Sequence, residues 1–172
     1  FQAKWSEGQT SKSAFALLLF SGLIIFNLFS ECINRAPGTI LCNSNYVKKV
    51  IFPLEILPWV NLCAALFHFF ISAVVWLVFY IYEVGIPHLT ILLMPFILLP
   101  LIFMVMGISW ILSSLGVYLR DVSQIVGIVT MVLMFLSPIF FPTSALPESV
   151  RPLLLLNPLA HFIEQTRDVM YW

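Results

Sequence analysis

Residues 56–82 read ILPWVNLCAALFHFFISAVVWLVFYIY, 27 residues without one Lys, Arg, Asp or Glu. About 20 consecutive apolar residues cross the hydrocarbon layer of a bilayer. Working outward, the same reading applies to both flanks. Residues 13–30 form a charge-free run of 18, residues 84–119 one of 36 and residues 122–147 one of 26. Over the whole 172-residue chain, 61% of residues are hydrophobic, 15% aromatic and only 9% charged. A soluble domain carries roughly 25% charged residues, and a globule of this size would lack the polar groups to cover itself in water. The expected fold is therefore all-α and polytopic in the membrane. The net charge is zero, which gives no sign of a nucleic-acid partner.

Each run holds one helix. The expected spans are residues 13–32, 59–82, 89–115 and 122–137, with a turn around Glu83, Gly85 and Pro87 before the third. Residues 1–172 are read as one membrane domain. Four spans put both ends of the chain on one side of the membrane. Positive charge does not choose that side. Arg35, Lys48, Lys49 and Arg120 face Lys4, Lys12, Arg151 and Arg167 across the bilayer, four against four. The chain starts at Phe1 without a Met and stops at Trp172 within a helical pattern, as a piece of a longer protein would.

Beyond the fourth run, Pro138, Pro142, Pro147, Pro152 and Pro158 punctuate the sequence every four to six residues. Proline removes a backbone donor and clashes with the preceding turn, so one continuous helix is excluded. Asn157 suits an N-cap and Pro158 a first helical position. After them Leu159, Phe162, Ile163, Thr166, Val169 and Met170 share a face, with Glu164, Arg167 and Asp168 toward the other. Residues 138–172 are expected to form a re-entrant or interfacial helix pair. Both a gate on a pathway and a static interfacial loop fit this pattern.

Between the first two spans lies Asn45–Pro58, NYVKKVIFPLEILP, with two lysines, one glutamate and two prolines. Its apolar residues and lysines suit a segment lying along the membrane surface. Read in order with three later stretches, it resembles the ABC-2-type permeases that export O-antigen, capsule and teichoic-acid polymers or their lipid-linked forms. Asn45, Lys48, Lys49, Phe52, Pro53, Glu55, Ile56, Leu57 and Pro58 match the family's cytosolic loop, while Leu54 stands where many members carry Arg. YLRDV (Tyr118–Val122) is similar to the family's second cytosolic turn. MFLSPIFFP (Met134–Pro142) is similar to its Leu-Ser-Pro signature, and NPLAHFIEQTR (Asn157–Arg167) to its Asn-Pro stretch.

The resemblance implies a channel-forming permease subunit of the bacterial inner membrane, with the first and last of six spans lying outside this chain. It implies a homodimer, two copies of a separate ABC ATPase, and a polysaccharide or lipid-linked glycan as substrate. Lys48, Lys49, Phe52, Glu55, Arg120 and Asp121 would couple the ATPase to the membrane. Phe135, Pro138, Phe140, Phe141 and Pro142 would form the channel or gate, since sugar rings stack on aromatic faces. The chain has no G-x-x-x-x-G-K-[ST] loop, so ATP would act through the partner, and no cofactor or metal is expected on the chain itself.

Two other classes compete. A membrane-embedded transferase of lipid-linked sugars would need clustered acids or histidines, and the acids here are scattered. An ion-coupled transporter would need charges near the midplane. His68 is the one ionisable group expected deep in a span, with no acid in any span to meet it. Export of a drug or lipid by the same family is a further alternative. Asn27, Asn61 and His68 are expected to hydrogen-bond within the bundle. Ser109, Ser113 and Gly116 should allow close packing, Glu31 and Arg35 should pair at a helix end, and the three cysteines make no disulfide framework.

Overall fold

The computed structural model describes residues 12–43, 53–85, 89–139 and 157–171. Lys48, Lys49, Phe52, Phe140, Phe141, Pro142 and Arg151 lie outside the described residues.

Helix α1 spans Lys12–Arg35. Pro37 cannot donate to the preceding turn, and the chain tightens into a 3-10 turn, Ala36–Gly38, before the short α2, Thr39–Cys42. Thr39 Oγ1 donates to the Arg35 carbonyl at 2.8 Å, and Asn43 Nδ2 to the Thr39 carbonyl at 2.8 Å. These bonds satisfy carbonyls at the bend, where the helix tightens and ends. The apolar helical segment consequently runs on to Cys42, 28 residues from Phe15, ten residues past the expected end at 32.

Helix α3 covers Ile56–Glu83, 28 residues. It begins three residues before the expected 59, because Pro58 falls in the first turn, where its missing N–H costs no helical bond. The expected third span starts as a 3-10 helix, Leu89–Leu93, and continues as α4, Met94–Tyr118, with Pro95 in its first turn and Pro100 inside. Helix α5 covers Val122–Leu136. Its end is set by Pro138, which forces the preceding Ser137 into extended backbone, φ −85° and ψ 145°. Helix α6 covers Pro158–Tyr171. The Leu159 N–H donates to Asn157 Oδ1 at 3.0 Å, the cap expected from the sequence.

Among the described residues, three helical segments are long and apolar enough to cross a membrane: Phe15–Cys42, Ile56–Glu83 and Thr90–Tyr118. Helix α5, at 15 residues, is about 22 Å long and by itself falls short of a hydrocarbon layer about 30 Å thick.

Helix α1 is the hub, packed against α3, α4, α5 and α6. Its apolar window is 61% buried, against 22% for α3 and 28% for α4. Leu62, Ala65, Phe69, Trp76 and Tyr80 form the inward stripe of α3. The Trp76 indole stacks on Tyr80 at 4.9 Å and donates to the Leu17 carbonyl at 2.9 Å. The outer faces carry Phe67, Phe70, Phe79, Phe96 and Phe103, all exposed. Lipid tolerates such a surface and water does not.

Candidate functional site

Three polar constellations interrupt the apolar bundle. The first joins the ends of four elements. Ser109, Ser113 and Gly116 are buried along α4, as the small-residue spacing predicts. They admit the 3-10 turn after α1, and Gly116 lies so close that an added Cβ would overlap the Pro37 carbonyl group. Asn61 Nδ2 donates to Thr39 Oγ1 at 2.6 Å. Trp110 Nε1 donates to the Glu55 carbonyl at 3.3 Å and meets Trp59 edge-on at 6.4 Å. Glu55 therefore sits where α3 starts, tied to α4. Beyond the end of α4, Arg120 and Asp121 form an exposed turn. The Asp121 carbonyl accepts from the N–H groups of Gln124 and Ile125, both at 3.1 Å, and its carboxylate precedes a helix N-terminus, where negative charge is favoured.

The second constellation joins α5 to α6. Ser137 and Ile139 are fully buried. Asn157 Nδ2 donates to Ser137 Oγ at 3.0 Å. Arg167 Nη2 donates to the carbonyls of Pro138 at 3.1 Å and Ile139 at 3.4 Å. The expectation that Arg167 turns to the polar face of its helix is corrected: it is 4% exposed. The cause is local. Pro138 ends a helix and leaves carbonyls without helical partners, and a guanidinium supplies two donors in a planar fork. Gly22 of α1 makes the room, since a Cβ there would stand 3.2 Å from Arg167 Nη2. Burial lowers the Arg167 guanidinium to about 10, with Glu164 and Asp168 opposing the shift, so it stays charged near neutral pH. Thr90 Oγ1 also donates to the Val169 carbonyl at 3.1 Å, which ties α6 to the start of the α4 segment. Phe135 is exposed on α5, and Pro138 is buried within this joint.

The third constellation was not expected. Glu31 pairs with Arg35 at 2.9 Å, as the i, i+4 spacing predicts, and also with His68 Nδ1 of α3 at 2.9 Å. The expectation that no acid in any span meets His68 is therefore corrected. Glu31 stands at the very end of the expected 13–32 span; the helical segment runs on to Cys42, so Glu31 is well inside it and meets His68 near the middle of α3. Beside the pair, the Thr130 hydroxyl of α5 donates to Asn34 Oδ1 at 3.1 Å. Asn61 forms the interhelical bond expected of it, whereas Asn27 is exposed and forms none among the described residues. Cys32, Cys42 and Cys63 are free thiols.

Apolar helices around a central one, with a charged turn at one end and a proline-broken joint at the other, define a polytopic membrane protein. The ABC-2 type transporter family model matches residues 2–171, and the chain belongs to that family. It is 27% identical over 157 residues to an O-antigen export system permease protein RfbA of Klebsiella pneumoniae, covering 90% of this chain and 60% of the relative. The permease of the same name from Myxococcus xanthus is 26% identical, covering 91% and 61%. The polysialic acid transport protein KpsM of Escherichia coli is 28% identical, also covering 91% and 61%. The chain thus spans about three fifths of the length of the curated relatives it matches.

Proposed function

We propose that this chain belongs to the membrane permease subunit of an ATP-driven exporter of polysaccharide or lipid-linked polysaccharide. The observation that carries this reading is its similarity, across some nine tenths of the chain, to permease and transport proteins for O-antigen and polysialic acid. The all-helical architecture and the family match support it. The permease acts as a homodimer in the bacterial inner membrane, and a separate ABC ATPase, two copies per exporter, supplies the ATP chemistry. Neither the transferase reading nor the ion-coupled reading has comparable support.

Within the exporter, the end carrying Glu55, Arg120 and Asp121, together with Lys48, Lys49 and Phe52 of the preceding loop, receives the ATPase. Surface charges at such a contact steer a partner more than they hold a fold. The opposite end is the gate. There Phe135, Pro138, Phe140, Phe141 and Pro142 stand on the path of the polymer. Four crossings, near 13–32, 59–82, 89–115 and 122–137, the last short enough to need a locally thinned bilayer, with residues 138–172 re-entrant, complete the proposed topology.

The test is complementation. Cells lacking the permease gene should regain surface polymer when the full-length protein and its ATPase are supplied together, and not when either is supplied alone. Replacing Lys48 and Lys49 with Glu should lower both ATPase co-purification and surface polymer while membrane insertion is kept. If surface polymer is independent of the permease, the reading fails. If the double replacement leaves both measurements unchanged, the coupling assignment fails.

A further inference from the structure

Glu31, Arg35 and His68 meet near the middle of α3, at a depth where ionisable groups face a bundle interior or water and not lipid tails. A salt bridge that merely clamps two helices would be covered by them. Here the His68 side chain is 56% exposed and that of Arg35 51%, with Glu31 at 19% between them. The cluster opens into a cavity of about 270 Å³ between α1 and α3, lined also by Asn27, Phe69 and Ser72. Neither the Asn27 amide nor the Ser72 hydroxyl makes a hydrogen bond among the described residues.

We propose that this cleft is a water-filled site for one neutral, hydroxyl-rich ring: a single sugar residue of the chain in transit. The substrate class rests on the polysaccharide-permease reading, while the hydrated cleft rests on geometry alone. The volume lies just below the roughly 300 Å³ at which pockets for drug-sized ligands begin, which suits one ring. Amide and carboxylate from α1 face hydroxyl and imidazole from α3, giving short donors and acceptors on both sides of the cleft. Phe69 gives the apolar flank that the carbon face of a sugar ring prefers. Arg35 pairs with Glu31 at 2.9 Å and offsets its charge within the cluster.

The test uses the full-length protein with its ATPase in membranes, with Cys32, Cys42 and Cys63 replaced by Ala. Asn27→Cys and Ser72→Cys are reacted with a small charged methanethiosulfonate, as is Phe70→Cys from the exposed apolar face of α3. Positions 27 and 72 should react roughly tenfold faster than position 70, because the thiolate that attacks forms only in water. A neutral glucose hexamer at its half-saturating concentration should lower both rates to about half, and a sialic-acid hexamer should not. Glu31→Ala should abolish the protection. The cysteine variants leave the ion pair intact, so the result does not hang on whether Glu31→Ala folds. Reaction at 27 and 72 no faster than at 70 overturns the hydrated cleft. Fast reaction without protection by the glucose hexamer, or protection by the charged hexamer alone, overturns the sugar site. Surface polymer scored in the parent cells tests the exporter reading separately.

Discussion

Single residues settle how close these helices come. Gly116 has no room for a side chain, because the carbonyl and Cα atoms of Pro37 fill the space a Cβ would take. Gly116→Ala should destabilise the protein by about 1–3 kcal/mol, the range for overpacking. Gly107 sits on the same helix with open space around it, and Gly107→Ala should be neutral or slightly stabilising, since Ala favours the helix by up to about 1 kcal/mol. Thermal unfolding in detergent would compare them, and equal melting temperatures would contradict the close contact. Arg167 gives a second residue-scale test. Arg167→Leu leaves the buried carbonyls of Pro138 and Ile139 without their donor, at about 1–3 kcal/mol each. The guanidinium, lowered to about 10 by burial, is charged at every lower pH. The cost of burying that charge is relieved only as pH rises through the lowered value. The melting temperature of the parent should therefore show no Arg167 contribution between about pH 6 and 9. A transition in that window that Arg167→Leu removes would contradict this.

At the scale of the element, α6 is an amphipathic helix held by its ends and its buried stripe. Asn157 does two things: it accepts from the Leu159 N–H and donates to Ser137 Oγ. Asn157→Asp keeps the cap acceptor and loses the donor, whereas Asn157→Ala loses both. The Ala variant should lose about 1 kcal/mol more than the Asp variant, the typical worth of an N-cap. Protease accessibility of α6 in proteoliposomes would rank them, and a reversed order would show that the cap does not hold this helix. The gate reading adds an export measurement: weakening the joint should raise resting ion leak before it lowers the amount of folded protein.

For the whole molecule, the proposed topology puts the two ends of α3 and α4 on opposite sides of the membrane. Glu83→Cys should react with an impermeant reagent added to intact cells, and Arg120→Cys only after the cells are opened. Labelling of position 120 from outside would invert the arrangement. Labelling of both would mean that α4, Met94–Tyr118, does not cross.

Much of this architecture was legible in order along the chain. Long charge-free runs dictate helices in a membrane, because a bilayer leaves the backbone no other partner than itself. Pro138 announced the end of α5 and Asn157-Pro158 the start of α6, since proline and N-cap effects act within a few residues. The Glu31–Arg35 pair and the small residues of α4 followed from helical spacing alone. Three things were decided only by tertiary structure. The helical path continues past Pro37 to Cys42 where Gly116 of α4 leaves room for the Pro37 backbone and Asn61 of α3 donates to Thr39 Oγ1. Arg167 turns inward because carbonyls from a segment 28 and 29 residues away lack partners and Gly22 leaves the space. His68 finds Glu31 because α1 and α3 lie side by side, a pairing across 37 residues. Local sequence sets which turns form and which faces are oily, whereas the partner of a buried charge depends on which distant backbone or side chain reaches the same depth.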